Sequence, residues 1–224
     1  PQDEVHPLRP RSPYGASKAA SRQLVKVYRE SYNLYAIQGW LFNHEGTRRG
    51  EEFVTRKISK KVSSIKYCID NSLDFSPLEL GNIDAKRDWS DAEDFMDGVW
   101  RMLNQDIYNK DYSGIPNEYV FSSNETHSIR EFVEKSFYYI GLDCSWENET
   151  NNPEDEKLVA YINGIKKTLM IVNKKFYRPA EVETLLGDSS LARKDLGWVP
   201  KCNFDQLVSK MLKSDIEKLF IEKA

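Results

Sequence analysis

Ser12-Pro13-Tyr14 opens a helical pattern that runs almost directly into an apolar strand pattern, and few folds accommodate that junction. Ser is a good N-cap and Pro is tolerated in the first turn, so a helix is expected from there to about Tyr32. Leu24, Val27, Tyr28 and Tyr32 recur at helical spacing, which predicts one stripe facing a core or a partner helix. The run Tyr35-Ala36-Ile37-Gln38-Gly39-Trp40-Leu41-Phe42 reads as a buried strand, rich in aromatic and branched residues. A helix feeding a strand points to an α/β sheet, and the polar loop Asn43 to Gly50 lies just beyond the strand, where doubly wound folds place ligands.

Further along, helices are expected from Phe53 to about Asn71, from a capping box at Ser90 and Glu93 through Leu103, and from Ser128, capped with Glu131, to Ile140. A short helix from Leu191 ends at Gly197, and a last amphipathic helix starts at Phe204. Short strands are expected at Leu78 to Gly81, Glu118 to Ser122 and Leu169 to Val172. Glu147 to Asp155, acidic and Asn-rich, reads as a mobile surface loop, and Trp89, Trp100 and Trp198 read as core. No repeat period is visible.

The 224 residues suffice for a sizeable core, and 40% apolar with 30% charged residues excludes a disordered tail or a membrane bundle. With 32 Lys and Arg against 35 Asp and Glu, the net charge of −3 gives no reason to expect a nucleic-acid partner. Cys68, Cys144 and Cys202 are far apart and His6, His44 and His127 are scattered, so neither a disulfide framework nor a metal site is expected. Reduced thiols suit a cytoplasmic protein. No apolar run reaches membrane-spanning length, and Pro1 to Pro7 lack the pattern of a signal peptide.

Tyr14 and Lys18 are four apart, so their side chains share one helix face. A neighbouring ammonium favours the phenolate, and a tyrosine so activated serves as general base toward an alcohol. An ordinary amphipathic helix can hold the same pair. The surrounding residues separate the two readings: Pro10-Arg11-Ser12-Pro13-Tyr14-Gly15-Ala16-Ser17-Lys18 resembles the active-site helix of extended short-chain dehydrogenase/reductases acting on nucleotide sugars. Asn43-His44-Glu45, Arg48-Arg49-Gly50 and Phe53 to Ile58 narrow the resemblance to the GDP-mannose 4,6-dehydratase family. Leu80 to Trp89, Phe176 to Val182 and Leu185 to Asp188 are similar to further blocks of that family, in its order. The family has Ser-Pro at Gly46-Thr47 and Gly-His at Ser90-Asp91, and 147–167 matches poorly.

That resemblance implies a Rossmann-like α/β fold interleaved with a small α/β substrate-binding domain. It divides the chain into 1–42, the later part of an NADP domain with the Tyr-x-x-x-Lys helix; 43–78, a substrate and interface segment; 79–123, a return to the NADP domain; and 124–224, the nucleotide-sugar domain. The family's Gly-rich turn, catalytic Thr or Ser and Glu precede the Tyr helix, so the chain is expected to be the C-terminal part of such an enzyme, inactive and weak toward NADP by itself. The activity implied is conversion of GDP-D-mannose to GDP-4-keto-6-deoxy-D-mannose, in GDP-fucose or related deoxysugar synthesis. By resemblance Tyr14 and Lys18 are catalytic and also contact the cofactor; His44, Arg48 and Arg49 bind NADP; and Asn43, Lys57, Arg87, Arg178 and Glu181 face GDP-mannose. A homo-oligomer, dimer or tetramer, is implied as well. The alternatives are a sister nucleotide-sugar epimerase or reductase, and a non-catalytic GDP-sugar-binding subunit or pseudoenzyme.

Overall fold

The computed structural model describes residues 1–148, 150, 152–177 and 182–223. In chain order its elements are α1 Pro13–Tyr32, β1 Gly39–Leu41, β2 Asn43–Glu45, α2 Val54–Asp70, β3 Leu78–Leu80, β4 Lys86–Arg87, β5 Trp89–Asp91, α3 Ala92–Leu103 and α4 Gln105–Tyr108. There follow β6 Tyr119–Phe121, β7 His127–Ser128, α5 Ile129–Tyr139, β8 Cys144–Glu147, β9 Lys157–Ile162, β10 Ile165–Val172, α6 Ser190–Leu196 and α7 Phe204–Lys223. They form two compact units: Pro1–His44 with Asp88–Thr126 and Leu185–Asn203, and Glu45–Arg87 with His127–Thr184 and Phe204–Ala224. These boundaries differ from those read from the sequence, because 185–203 belongs with the first unit and 45–87 wholly with the second.

In the first unit β1 and β6 are parallel, with Gly39 opposite Tyr119, Trp40 opposite Val120 and Leu41 opposite Phe121. Behind them Phe95, Phe121 and Trp198 interlock edge to face and tilted, with Phe121 and Trp198 4.9 Å apart. Gly98 permits this contact: a β-carbon there would sit 2.5 Å from Phe121 Cε1. Asp94 fastens the segment after α6, its backbone oxygen accepting from Trp198 Nε1 and its carboxylate from the Lys201 and Cys202 amides.

Several expectations fail here. Only Gly39–Leu41 of the 35–42 run is strand, and the Tyr35 hydroxyl instead donates to the Leu103 carbonyl. The cap of α3 is Asp91, whose carboxylate accepts from Glu93 N, while Ser90 lies buried in β5. Trp100 is 62% exposed, since Phe95, Gly98 and Met102 set the inner face of α3 and Trp100 points the other way. In α1 no residue is fully buried: the face toward the unit is Gly15, Ala19, Arg22, Val25 and Arg29, leaving Leu24, Val27, Tyr28 and Tyr32 exposed. Glu118 explains the rotation, because Arg22 and Arg29 reach it at 3.1 and 3.3 Å.

The second unit holds a sheet of order β3-β10-β9-β8, antiparallel except for the β3–β10 pair. The β9–β10 hairpin turns at Asn163-Gly164, both with positive φ, as a two-residue turn of the I′ kind needs. On α2, Ile58, Val62 and Ile65 are wholly buried, as the sequence predicts, and the helix packs on α5 and α7. Among those helices lies a buried ion pair, Arg56 to Asp215 at 2.9 Å, with Ser59 Oγ donating to Asp215 at 2.6 Å. The other arm of Arg56 donates to the Thr47 carbonyl at 2.7 Å, which ties down the 46–50 loop. Both halves of the expected capping box at Ser128 and Glu131 are present. In the expected mobile loop, Glu147 ends β8 and Pro153–Asp155 forms a 3-10 turn.

Candidate functional site

Ser12 caps α1 by accepting from Gly15 N at 3.0 Å, so Tyr14 and Lys18 project from the first two turns of a well-started helix. The Lys18 ammonium lies 5.4 Å from the centre of the Tyr14 ring, and the Tyr14 side chain is 72% exposed. Both line a cavity of about 660 Å³ contained in the first unit, and Asn43 and His44 line it as well. His44 Nδ1 lies 2.9 Å from the Phe42 carbonyl, which can only accept, so Nδ1 donates there and Nε2 is the nitrogen left for a ligand. The His44 ring rests against Phe95 at 5.4 Å, which fixes its plane.

The opposite wall of the cavity is the 2–10 segment. Gln2 pairs with the chain at 186–188, donating to the Leu186 carbonyl and accepting from Asp188 N. That partner segment is itself held by Asp88, which accepts from Gly187 N, Ser123 N and the Ser123 hydroxyl. Burial pushes the Asp88 carboxyl up, against those bonds. Glu4 accepts from Val120 N at 2.7 Å, and burial raises its carboxyl too. The sequence reading missed Glu4, Arg9 and Trp40 as lining residues, since a Pro-rich stretch before a helix carries no motif that announces a wall.

The remaining site residues lie in the second unit. Arg49 stacks on Phe53 at 3.5 Å, and its Nε lies 3.1 Å from Glu45, close enough to pair electrostatically yet not aligned as a hydrogen bond. Glu45 is buried, which raises its carboxyl although Thr55 donates to it at 2.5 Å. Arg48 is exposed. The Lys57 ammonium sits 3.6 Å over the Phe176 ring, and burial lowers its pKa, helped by Lys175 and opposed by Glu79. Arg87 donates to the Lys86 and Glu183 carbonyls. Arg178 and Glu181 lie outside the described residues. Among the described residues no group of His, Cys, Asp and Glu could hold a metal, and no helix is long and apolar enough to cross a membrane.

The parallel β1–β6 pair with its helices is of the Rossmann-like α/β class. The structure of RMD from Pseudomonas aeruginosa complexed with NADPH superposes with a TM-score of 0.75 at 20% identity, over 97% of this chain and 61% of that one. Within that class the chain belongs to the GDP-mannose 4,6 dehydratase family, whose model matches residues 1–211. GDP-mannose 4,6 dehydratases of Drosophila melanogaster and Homo sapiens are each 43% identical to it over 217 residues, 97% of this chain. The chain spans 50% and 54% of their lengths, about half of each relative.

Proposed function

We propose that the chain serves a GDP-mannose 4,6-dehydratase reaction, a hydro-lyase activity on GDP-D-mannose with NADP as cofactor. The observation that carries this is the Tyr14–Lys18 pair on one face of α1 at the mouth of a cavity large enough for a sugar or a nicotinamide riboside. The cavity's polar groups suit that cofactor: the Lys18 ammonium, a donor with no hydrogen bond or ion pair among the described residues, and His44 Nε2, left as an acceptor by the bond from Nδ1, line it with the tyrosine. Bound NADP would supply the hydride acceptor for carbon 4 of the hexose and the hydride donor for carbon 6, with no net consumption. Tyr14 removes the proton from the carbon 4 hydroxyl, and the Lys18 ammonium stabilises the phenolate that does so. The ketone formed on the sugar acidifies carbon 5, which permits loss of water across carbons 5 and 6.

His44, Arg48 and Arg49 are assigned to the cofactor, and Asn43, Lys57, Arg87, Arg178 and Glu181 to the GDP-sugar. Lys57 over Phe176 supports that role, because it sits directly before the 178–181 stretch of the family's motif and offers a cation to a diphosphate. We assign the first unit chiefly to the cofactor and the second chiefly to the nucleotide sugar, in the cytoplasm, with Arg48 and Arg49 of the second unit serving cofactor and Asn43 of the first serving the sugar. The exposed Leu24, Val27, Tyr28 and Tyr32 support a homo-oligomer through α1. The apolar face of α2 is already buried in its own unit and is not available for that contact.

The test is to incubate the full gene product with GDP-D-mannose and NADP and to follow loss of one water by mass spectrometry. Formation of the 4-keto sugar supports the reading. Unchanged substrate, or a product isomeric with GDP-mannose, refutes it. Light scattering on the wild type and on Leu24→Glu with Tyr28→Glu tests the assembly, and a monomeric wild type refutes that part.

A further inference from the structure

The wall of the Tyr14 cavity is asymmetric in how its charges are used. Its acids are engaged: Glu4 accepts from Val120 N at 2.7 Å and Asp3 from Val5 N at 3.1 Å. Arg9 lines the same cavity, yet its guanidinium makes no hydrogen bond or ion pair among the described residues. Lys18, on the facing helix, has only the Tyr14 ring. An anion placed against Arg9 and Lys18 gains charge-assisted bonds without first breaking any among the described residues. A guanidinium differs from the ammonium of Lys18 in presenting a planar fork, which matches two oxygens of one phosphate.

We infer that Arg9 is an anion-binding residue of this cavity, donating to phosphate oxygens of the bound nucleotide. The inference rests on the reading of the cavity as a nucleotide site and adds to it a residue outside the Tyr-x-x-x-Lys motif. Two ligands carry the required chemistry, the diphosphate of a GDP-sugar and the phosphates of NADP, and the test separates them.

The full gene product is titrated calorimetrically with GDP-mannose and, separately, with NADP, as wild type, Arg9→Gln, Arg9→Lys and Arg11→Gln. Arg9→Gln is expected to weaken one ligand tenfold or more, and the ligand affected identifies the phosphate contacted. Arg9→Lys recovers part of that loss, since charge survives and the fork does not. Arg11 is two residues further along and does not line the cavity, so Arg11→Gln leaves both affinities within twofold. Melting temperatures of the Arg9 variants match wild type, because no hydrogen bond or ion pair among the described residues is lost.

Unchanged affinity in Arg9→Gln, with Lys18→Met still weakening NADP, overturns the role of Arg9 and leaves the cavity reading standing. An equal loss in Arg11→Gln reduces the effect to general electrostatics and also overturns it. A lowered melting temperature in Arg9→Gln contradicts the unpaired guanidinium on which the inference stands. Failure of the wild type to bind either ligand removes the cavity reading and the inference together.

Discussion

Replacing Tyr14 by Phe separates catalysis from structure unusually well, because the hydroxyl has so little structural employment. Tyr14 is 72% exposed, and its hydroxyl makes no hydrogen bond among the described residues. Its ring keeps its place above Lys18, since the cation sits 5.4 Å from the ring centre rather than on the hydroxyl. The Tyr14 carbonyl accepts from Ser17 Oγ at 2.8 Å, and that contact, like the helical backbone bonds, is one that Phe preserves. The stability change should therefore stay within about 0.5 kcal/mol, the usual range for a surface substitution. Loss of a general base, by contrast, costs about a hundredfold to ten-thousandfold in rate. In the full gene product kcat for GDP-mannose should fall by that factor, while the KM and the urea midpoint remain near wild type. Steady-state kinetics beside urea titration gives both numbers. Turnover within threefold of wild type removes Tyr14 from the chemistry, and a clear loss of stability means that the tyrosine acts through packing.

Three further outcomes follow from the packing. Asp215→Ala leaves the Arg56 guanidinium buried without its carboxylate and should cost about 3–5 kcal/mol in urea unfolding, with Asp215→Asn milder because a Ser59 bond survives; equal and small losses would contradict a buried pair. Gly98→Ala drives a methyl to 2.5 Å from Phe121 Cε1 and should cost about 1–3 kcal/mol, a reading overturned by an unchanged melting temperature. Glu45→Gln tests the raised carboxyl: between the unfolded and folded pKa values the native state binds the extra proton, so the Glu45 contribution to stability falls as pH rises through that window. Wild-type stability relative to Glu45→Gln should thus decline as pH rises above the ordinary carboxylate range, and a flat or rising difference in urea midpoints refutes the assignment.

Much of the helical framework was legible because its signals are local. Ser12 before Pro13, Ser128 with Glu131 and Gly197 after Leu196 each set a helix end through one or two hydrogen bonds or one positive φ. The strands were harder. The hairpin of β9 and β10 alternates weakly, and its one strong sign, Asn163-Gly164 between Ile162 and Ile165, passed unnoticed amid polar residues. The rotation of α1 could not be read, because it depends on Glu118, nearly a hundred residues away from Arg22. For the site, the Tyr14–Lys18 face followed from helical spacing alone. The gathering of Asn43 and His44 into the same cavity did not, since it requires the strand pairing that brings Leu41 beside Phe121.

Those same interactions explain how a helix with no fully buried residue can hold Tyr14 in register. The small side chains of Gly15 and Ala19 let the first turns of α1 approach the unit closely, but they supply little apolar area. Orientation comes instead from Glu118, where Arg22 and Arg29 arrive from the helix and Trp40 Nε1 donates at 3.3 Å from β1. Arg22 also lies 5.0 Å over the Trp40 ring, so helix and strand are joined by charge and by stacking at one point. Trp40 in turn lines the cavity between them. Because the glutamate side chain is 12% exposed, these contacts are only partly screened by solvent. The apolar stripe on the outer face of α1 is therefore free of any duty in placing Tyr14, and whatever covers it can change without moving that side chain.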